Sequence, residues 1–259
     1  MQASATVNYH IKSSKKQAIE FDADGIMGNL ISPELVPSKV MVEDLRDTSD
    51  STEFSTDGIT FQHHKSEIQS YDDATNWQDV YDEEIKNLLK ATIGAKEITV
   101  FDHTIRIDDP HSDRKPARNV HNDYSEAAAK QRLIDIVGQE NAQKYNHGHY
   151  GFVNIWRPVE NTIFTSPLGF IRPSSMHEND WVNIELIYPD RIGQILGVTF
   201  NEQHEWIYMP HMTPDEIAIF NIYDNKGLPS LGHSALDMEQ NENVSVPRKS
   251  IESRTLVLY

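Results

Sequence analysis

Short runs in which apolar and polar residues alternate make up most of this chain, and two helical stripes interrupt them. Residues 5 to 12 alternate as a strand does, and a short strand is predicted at 39 to 42, inside a mostly polar stretch that Pro33 and Pro37 break. Gly58-Ile59-Thr60-Phe61-Gln62 reads as a further strand. Between Asn76 and Leu89 the apolar positions fall at Trp77, Val80, Tyr81, Ile85 and Leu88, which is the spacing of one helix face. Asn76 is placed to cap that helix and Gly94 to end it. Strand character returns at 97 to 101. Ser125 then precedes a run of strong helix formers, Glu126-Ala127-Ala128-Ala129-Lys130-Gln131-Arg132-Leu133-Ile134, so a helix is predicted over 125–137 with Ser125 as its N-cap.

Beyond that helix the pattern is a series of short β-branched and aromatic segments, at 150–156, 182–188, 194–200, 204–209, 216–223 and 253–259. Turn signals separate them, among them Arg157-Pro158, Pro189-Asp190 and Asp224-Asn225-Lys226-Gly227. Closely spaced strands of this kind predict a sandwich or barrel. Helices in the first half and strands in the second predict a mainly β jelly roll with helices packed outside it. The expectation is one domain over 1–259, with residues 1–97 as an N-terminal elaboration of lid and outer helices and 98–259 as the jelly-roll core.

Composition narrows what such a fold does. The 259 residues suffice for a large buried core. They hold no apolar run near 18 residues and no secretory-type N-terminus, so a cytoplasmic protein is expected. The absence of cysteine excludes disulfides, thiolate metal ligation and cysteine nucleophiles. A formal net charge of -17 argues against a nucleic-acid partner, because a polyanion would be repelled. An acidic small ligand needs a local basic cluster, and Arg248, Lys249 and Arg254 form one near the end of the chain.

The candidate chemistry lies in His121-Asn122-Asp123 and the distant His233. Two imidazoles and one carboxylate fill one face of an octahedral Fe(II) and leave the opposite face open for a co-substrate and oxygen. A downstream arginine suits a dicarboxylate such as 2-oxoglutarate, since a planar guanidinium grips a carboxylate with two parallel hydrogen bonds. His-x-Asp alone is weak evidence in a chain with 12 histidines, and a second copy occurs at His111-Ser112-Asp113. That copy sits among Pro110, Arg114, Lys115 and Pro116 and reads as an exposed loop. The copy at 121 lies where a strand meets a helix, a setting rigid enough for a metal. On the residues alone, a metal site and a chance pair both stand.

A wider set of motifs bears on that choice. Val100-Phe101-Asp102-His103-Thr104-Ile105-Arg106, Val120-His121-Asn122-Asp123-Tyr124-Ser125, Asn154-Ile155-Trp156-Arg157-Pro158, His204-Glu205-Trp206-Ile207-Tyr208, His233-Ser234-Ala235 and Pro247-Arg248-Lys249-Ser250-Ile251-Glu252-Ser253-Arg254 follow one another in this order. Together they resemble the hydroxylase/desaturase family of non-haem iron enzymes of microbial secondary metabolism, which includes a fungal gibberellin desaturase. The resemblance covers residues 98 to 259 well and the first 97 in outline. It implies a double-stranded β-helix of the 2-oxoglutarate oxygenase type, with Fe(II) held by His121, Asp123 and His233 and with 2-oxoglutarate and O2 as co-substrates. It further implies hydroxylation or desaturation of a small molecule, with succinate and CO2 as co-products. A carboxylate at 123, where a small residue would open a halide position, favours those outcomes.

Two arginines compete for the 2-oxoglutarate carboxylate. Arg254 begins the last strand segment and is the favoured one; Arg248 with Ser250 resembles the Arg-x-Ser clamp of plant-type relatives. Tyr124, Arg157 and Asn154 are the candidate substrate contacts, with core packing or a strand-end ion pair as the alternative for Tyr124 and Arg157. For His103, His204, Trp206 and His147-Gly148-His149 a structural role is expected. Two other functions fit a jelly roll: a catalytically silent small-ligand binder, and a cupin-like metal-dependent isomerase or hydrolase.

Overall fold

A computed structural model describes residues 2–21, 27–32, 35–46, 48, 51–72, 75–190, 192–239 and 246–259. In chain order its strands are β1 (Gln2–Tyr9), β2 (Ala18–Phe21), β3 (Met27–Ser32), β4 (Val36–Asp44), β5 (Ile59–His63), β6 (Glu97–Ile107), β7 (His121–Asn122) and β8 (Tyr150–Pro158). They continue as β9 (Leu168–Ile171), β10 (Trp181–Ile187), β11 (Ile192–Val198), β12 (Trp206–Tyr208), β13 (Glu216–Asp224), β14 (His233–Ala235), β15 (Asp237–Met238) and β16 (Lys249–Leu258). The helices are α1 (Phe54–Asp57), α2 (Trp77–Ile93), α3 (Glu126–Val137) and α4 (Gln139–His147).

Two sheets face one another. The larger has the order β15-β1-β4-β12-β9-β14-β7-β11-β10-β2-β3, and the smaller β5-β13-β8-β16-β6. Alternation along β8 decides what each of its faces meets. Phe152 and Trp156 point inward to Phe170, Phe220 and Leu256 in the core between the sheets. Val153 and Ile155 point outward, where Trp77, Tyr81, Ile85 and Leu89 of α2 cover them. With both faces covered, β8 is buried along its whole length. A third cluster, including Val7, Tyr9, Val42, Ile171 and Trp206, packs under the N-terminal strands.

The helix signals hold in part. Ser125 caps α3 by accepting from the Ala128 amide at 3.2 Å. Gly94 ends α2 in the left-handed region at φ 70°, which glycine enters without steric cost. Asn76 occupies the cap position of α2, but its amide nitrogen donates to the Asp79 carboxylate at 3.1 Å, and its side-chain oxygen accepts no helix backbone N–H as a cap would.

Three expectations need correction. Strands are not confined to the second half: β1 and β4 extend the large sheet, β4 pairing with β12, and β5 pairs with β13 in the small one. Residues 1–97 therefore build sheet as well as the outer helix α2. Pro37 lies inside β4, and Pro33 falls outside the described residues. Arg157-Pro158 is not a turn, because β8 continues to Pro158 opposite Ser250. Helix α4 had no prediction; its sequence is mostly polar and buries only Ala142, so no apolar stripe announces it.

Candidate metal centre

Strand β7 is two residues long and lies between β11 and β14, with His121 paired to Gly197 on one side and to His233 on the other. Direct cross-strand neighbours share a face. The two imidazole rings accordingly stand 4.5 Å apart, centre to centre. Asp123 is the next residue but one after His121, just past the end of the strand, and its carboxylate turns back toward the pair. One ligand atom from each of His121, Asp123 and His233 lies within 4.8 Å of the other two, and no other such group occurs among the described residues.

The surroundings orient each ligand. His121 Nδ1 lies 2.8 Å from the Asn119 carbonyl, and His233 Nδ1 lies 3.0 Å from the Leu231 carbonyl, in both cases two residues back along the chain. A carbonyl accepts only from a protonated nitrogen, so each ring carries its proton on Nδ1 and presents a bare Nε2 to the centre. Asp123 Oδ2 accepts from Asn154 Nδ2 at 2.9 Å and from Arg254 Nε at 3.0 Å, while Oδ1 lies 3.6 Å from His121 Nε2. Asn122 stays out of the triad; its amide donates to the Ile222 and Tyr124 carbonyls and ties β7 to the small sheet.

Burial sets the charge state. His233 is 2 % exposed, and burial followed by repulsion from His121 lowers its pKa to about 3. Burial alone would raise Asp123, but the ion pair with the Arg254 guanidinium opposes it, and the carboxyl is held well below the usual carboxylate range. A neutral imidazole and an ionised carboxylate are the forms that bind a metal. His10 packs beside the centre, close enough to the Gly197 backbone that a Cβ there would come within 2.6 Å of its ring.

The two arginines play different parts. Arg254, favoured for the co-substrate carboxylate, is already engaged: Nε meets Asp123, Nη1 meets Asp102 at 2.7 Å and Thr104 at 3.0 Å, and Nη2 meets Glu252. Among the described residues, Arg248 forms no hydrogen bond to a carboxylate. Its guanidinium contacts the Ser250 hydroxyl at 3.3 Å and 3.4 Å and the Ser166 carbonyl, and stacks on Trp156 at 5.1 Å. Burial, then the nearby Arg106, lowers its pKa to about 9, the mark of a buried cation short of negative charge.

The substrate candidates separate. Asn154 holds Asp123 and so belongs to the ligand's support. Arg157, three residues further along β8, has the opposite parity: it faces out of the small sheet, bonding His64 at 2.7 Å and the Pro214 carbonyl at 3.3 Å beneath Tyr81. Tyr124 packs on Phe152 at 5.1 Å and lines a cavity of about 380 Å³ with Met176, Trp181, Leu196, Tyr223 and Ser230. A cavity of about 790 Å³ lies elsewhere, around Thr60, Thr92, His149 and Asp224, and neither cavity is lined by the triad.

Three of the remaining histidines have structural partners. His103 links Ser253 to Asp82, His204 links Tyr9 to Asp180, and His149 pairs with Asp224 at 2.7 Å. His111 sits in an exposed turn. Sequence reading overlooked Asp102, Thr104 and Glu252 as partners of Arg254. A signal for them exists: Asp102-x-Thr104-x-Arg106 and Ser250-x-Glu252-x-Arg254 put polar residues at every second position of strands bound for a core.

Comparison with known proteins agrees with this geometry. Residues 7–258 match the family model described as YDMC, Oxidoreductase/YMDC permease-like domain. No helix among the described residues is long and apolar enough to cross a membrane. The chain is 27 % identical to the alpha-ketoglutarate-dependent dioxygenase phiK of Fungal sp. (strain ATCC 74256), with 85 % of this chain and 83 % of the relative covered. It is 29 % identical to the hydroxylase/desaturase efuI of Hormonema carpetanum, with the same coverage. Among solved structures, the iron and alpha-ketoglutarate-dependent endoperoxidase NvfI superposes with a TM-score of 0.86 at 21 % identity, over 99 % of this chain and 98 % of that one. At that identity the likeness establishes the fold, a double-stranded β-helix with flanking helices. The chain belongs to the Oxidoreductase/YMDC permease-like domain family, and the relatives it resembles are named as alpha-ketoglutarate-dependent dioxygenases and hydroxylase/desaturases.

Proposed function

We propose that this protein is an Fe(II)- and 2-oxoglutarate-dependent oxygenase that hydroxylates or desaturates a small molecule of the secondary-metabolite type, working as one unit over 1–259. One observation carries the reading: two bare Nε2 atoms and one carboxylate oxygen converge within 4.8 Å of one another at a largely buried point. That donor set suits Fe(II), having two imidazoles, one hard oxygen and no thiolate. Iron bound there supplies the redox chemistry by which O2 oxidises both 2-oxoglutarate, to succinate and CO2, and one C–H position of the substrate.

The chain's own contribution is placement. His121, Asp123 and His233 would hold the metal. Arg248 and the Ser250 hydroxyl form the receptor for the far carboxylate of 2-oxoglutarate, since their charge is buried and bonded only to neutral groups. Trp156 supports that guanidinium from below. Tyr124, next in the chain to a metal ligand, forms part of the substrate wall, and burial from water protects the centre from wasteful side reactions.

The test is to incubate the protein with Fe(II), ascorbate and 2-oxoglutarate and to measure succinate, bound metal and 2-oxoglutarate binding. The wild type should retain iron, bind 2-oxoglutarate and form succinate, and His121→Ala should lose the iron and the product. A wild type that binds neither metal nor 2-oxoglutarate refutes the proposal.

A further inference from the structure

We infer that Arg254 and Asn154 are positioning residues that act together on Asp123, locking it as a ligand through one oxygen, and that Arg254 is no receptor for the co-substrate. The inference rests on the iron-centre reading above. Its basis is a convergence of two donors on one atom. Asn154 Nδ2 and Arg254 Nε both donate to Asp123 Oδ2, at 2.9 Å and 3.0 Å, and leave Oδ1 as the oxygen nearest His121. A carboxylate free to rotate could turn either oxygen, or both, toward a metal. With Oδ2 held by an amide and a guanidinium, only Oδ1 is available.

Strand register delivers both donors. Arg254 of β16 is the direct partner of Asn154 of β8, so the two side chains leave the small sheet on the same face. On the other side Arg254 is opposite Asp102 of β6. Asp102, Thr104 and Glu252 then take the remaining directions of the guanidinium, which fixes its plane. The charge balance points the same way. Three carboxylates surround Arg254 and engage all three of its nitrogens, so its charge is already taken up by Asp123, Asp102 and Glu252 and is not offered to a dianion such as 2-oxoglutarate. Arg254 has its pKa raised well above the ordinary value, burial being outweighed by Glu252, Asp123 and Asp102, which is the opposite of the undercompensated Arg248.

The experiment compares wild type with Asn154→Ala and Arg254→Lys. Fe(II) affinity is measured anaerobically against a chelator, the Co(II)-loaded proteins give visible d–d spectra, and 2-oxoglutarate affinity is measured at saturating metal. Asn154→Ala should bind Fe(II) about 10- to 100-fold more weakly, the usual loss when a ligand's outer partner is removed. Its Co(II) bands should shift, and its 2-oxoglutarate affinity at saturating metal should stay at the wild-type value. Arg254→Lys should show the same pattern, since an ammonium cannot reach Asp123, Asp102 and Glu252 together. If Arg254→Lys fails to fold, Asn154→Ala alone decides, because it removes one neutral amide and leaves every carboxylate paired with Arg254. Wild-type iron affinity and an unshifted Co(II) spectrum in Asn154→Ala would overturn the inference, as would a loss in Arg254→Lys confined to 2-oxoglutarate. A wild-type chain that takes up no divalent metal sinks the functional proposal and this inference with it.

Discussion

Replacing Arg248 with Met separates a residue kept for a ligand from one kept for the fold. The side chain is 4 % exposed, yet its hydrogen bonds go only to the Ser250 hydroxyl and the Ser166 carbonyl. A buried cation whose hydrogen bonds reach no carboxylate is costly, so removing it relieves desolvation that Asp108 and Glu252 only partly offset. Methionine refills most of the stem's volume against Trp156. Against this stands the loss of a donor for the Ser166 carbonyl, worth about 1–3 kcal/mol, which opposes the gain. The apo protein should therefore change in stability by only about 1 kcal/mol, the small difference of opposing terms. Binding behaves otherwise. A guanidinium–carboxylate contact in a dry site contributes about 3 kcal/mol, so the 2-oxoglutarate dissociation constant should rise about 100-fold. Calorimetric titration of the metal-loaded variant and thermal melting of the apo variant measure the two effects. A melting point many degrees lower with 2-oxoglutarate binding intact would make Arg248 a structural residue and refute the argument.

Two further outcomes follow from the same geometry. Arg157→Met should leave both iron and 2-oxoglutarate affinity at wild-type values, because that side chain lies on the outer face of the small sheet against His64 and Tyr81; a loss in either titration would contradict the parity assignment. Acid should destabilise the metal-free chain. The folded state lowers His233 from 6.5 to about 3 and His10 from 6.5 to about 4, each mainly by burial, so both stay neutral where the unfolded chain takes up protons. Their contribution is complete above pH 6.5 and is lost as pH falls toward those folded values, so the denaturant midpoint should drop between pH 7 and pH 5, and a midpoint that rises would disprove it.

Much of the architecture could be read from local pattern. The stripe from Trp77 to Leu88 became α2, Ser125 capped α3, and the six β-rich segments beyond residue 150 correspond to β8, β10, β11, β12, β13 and β16. These signals are local because a helix or strand buries one face at a fixed period. Features set by distant neighbours stayed hidden. β7 is two residues long and exists only because β11 and β14 flank it. β9 carries no alternation, since Leu168, Gly169, Phe170 and Ile171 are all buried. In residues 1–97 the strands predicted at 5–12, 39–42 and 58–62 became β1, β4 and β5, but their place in completing both sheets was not legible in the local pattern.

At the site the same division holds. Ligand chemistry resides in side-chain type, so His121, Asp123 and His233 could be nominated from the chain alone. The roles of the arginines could not. Arg248 and Arg254 have the same charge and the same strand parity, and nothing local tells them apart. The tertiary structure does so through their neighbours: β6 and the segment after β7 bring Asp102 and Asp123 into hydrogen bonds with Arg254, whereas among the described residues Arg248 hydrogen-bonds the Ser250 hydroxyl and the Ser166 carbonyl and stacks on Trp156. A guanidinium's function depends on which anions reach it, and that is settled by chain segments far apart in sequence and adjacent only after folding.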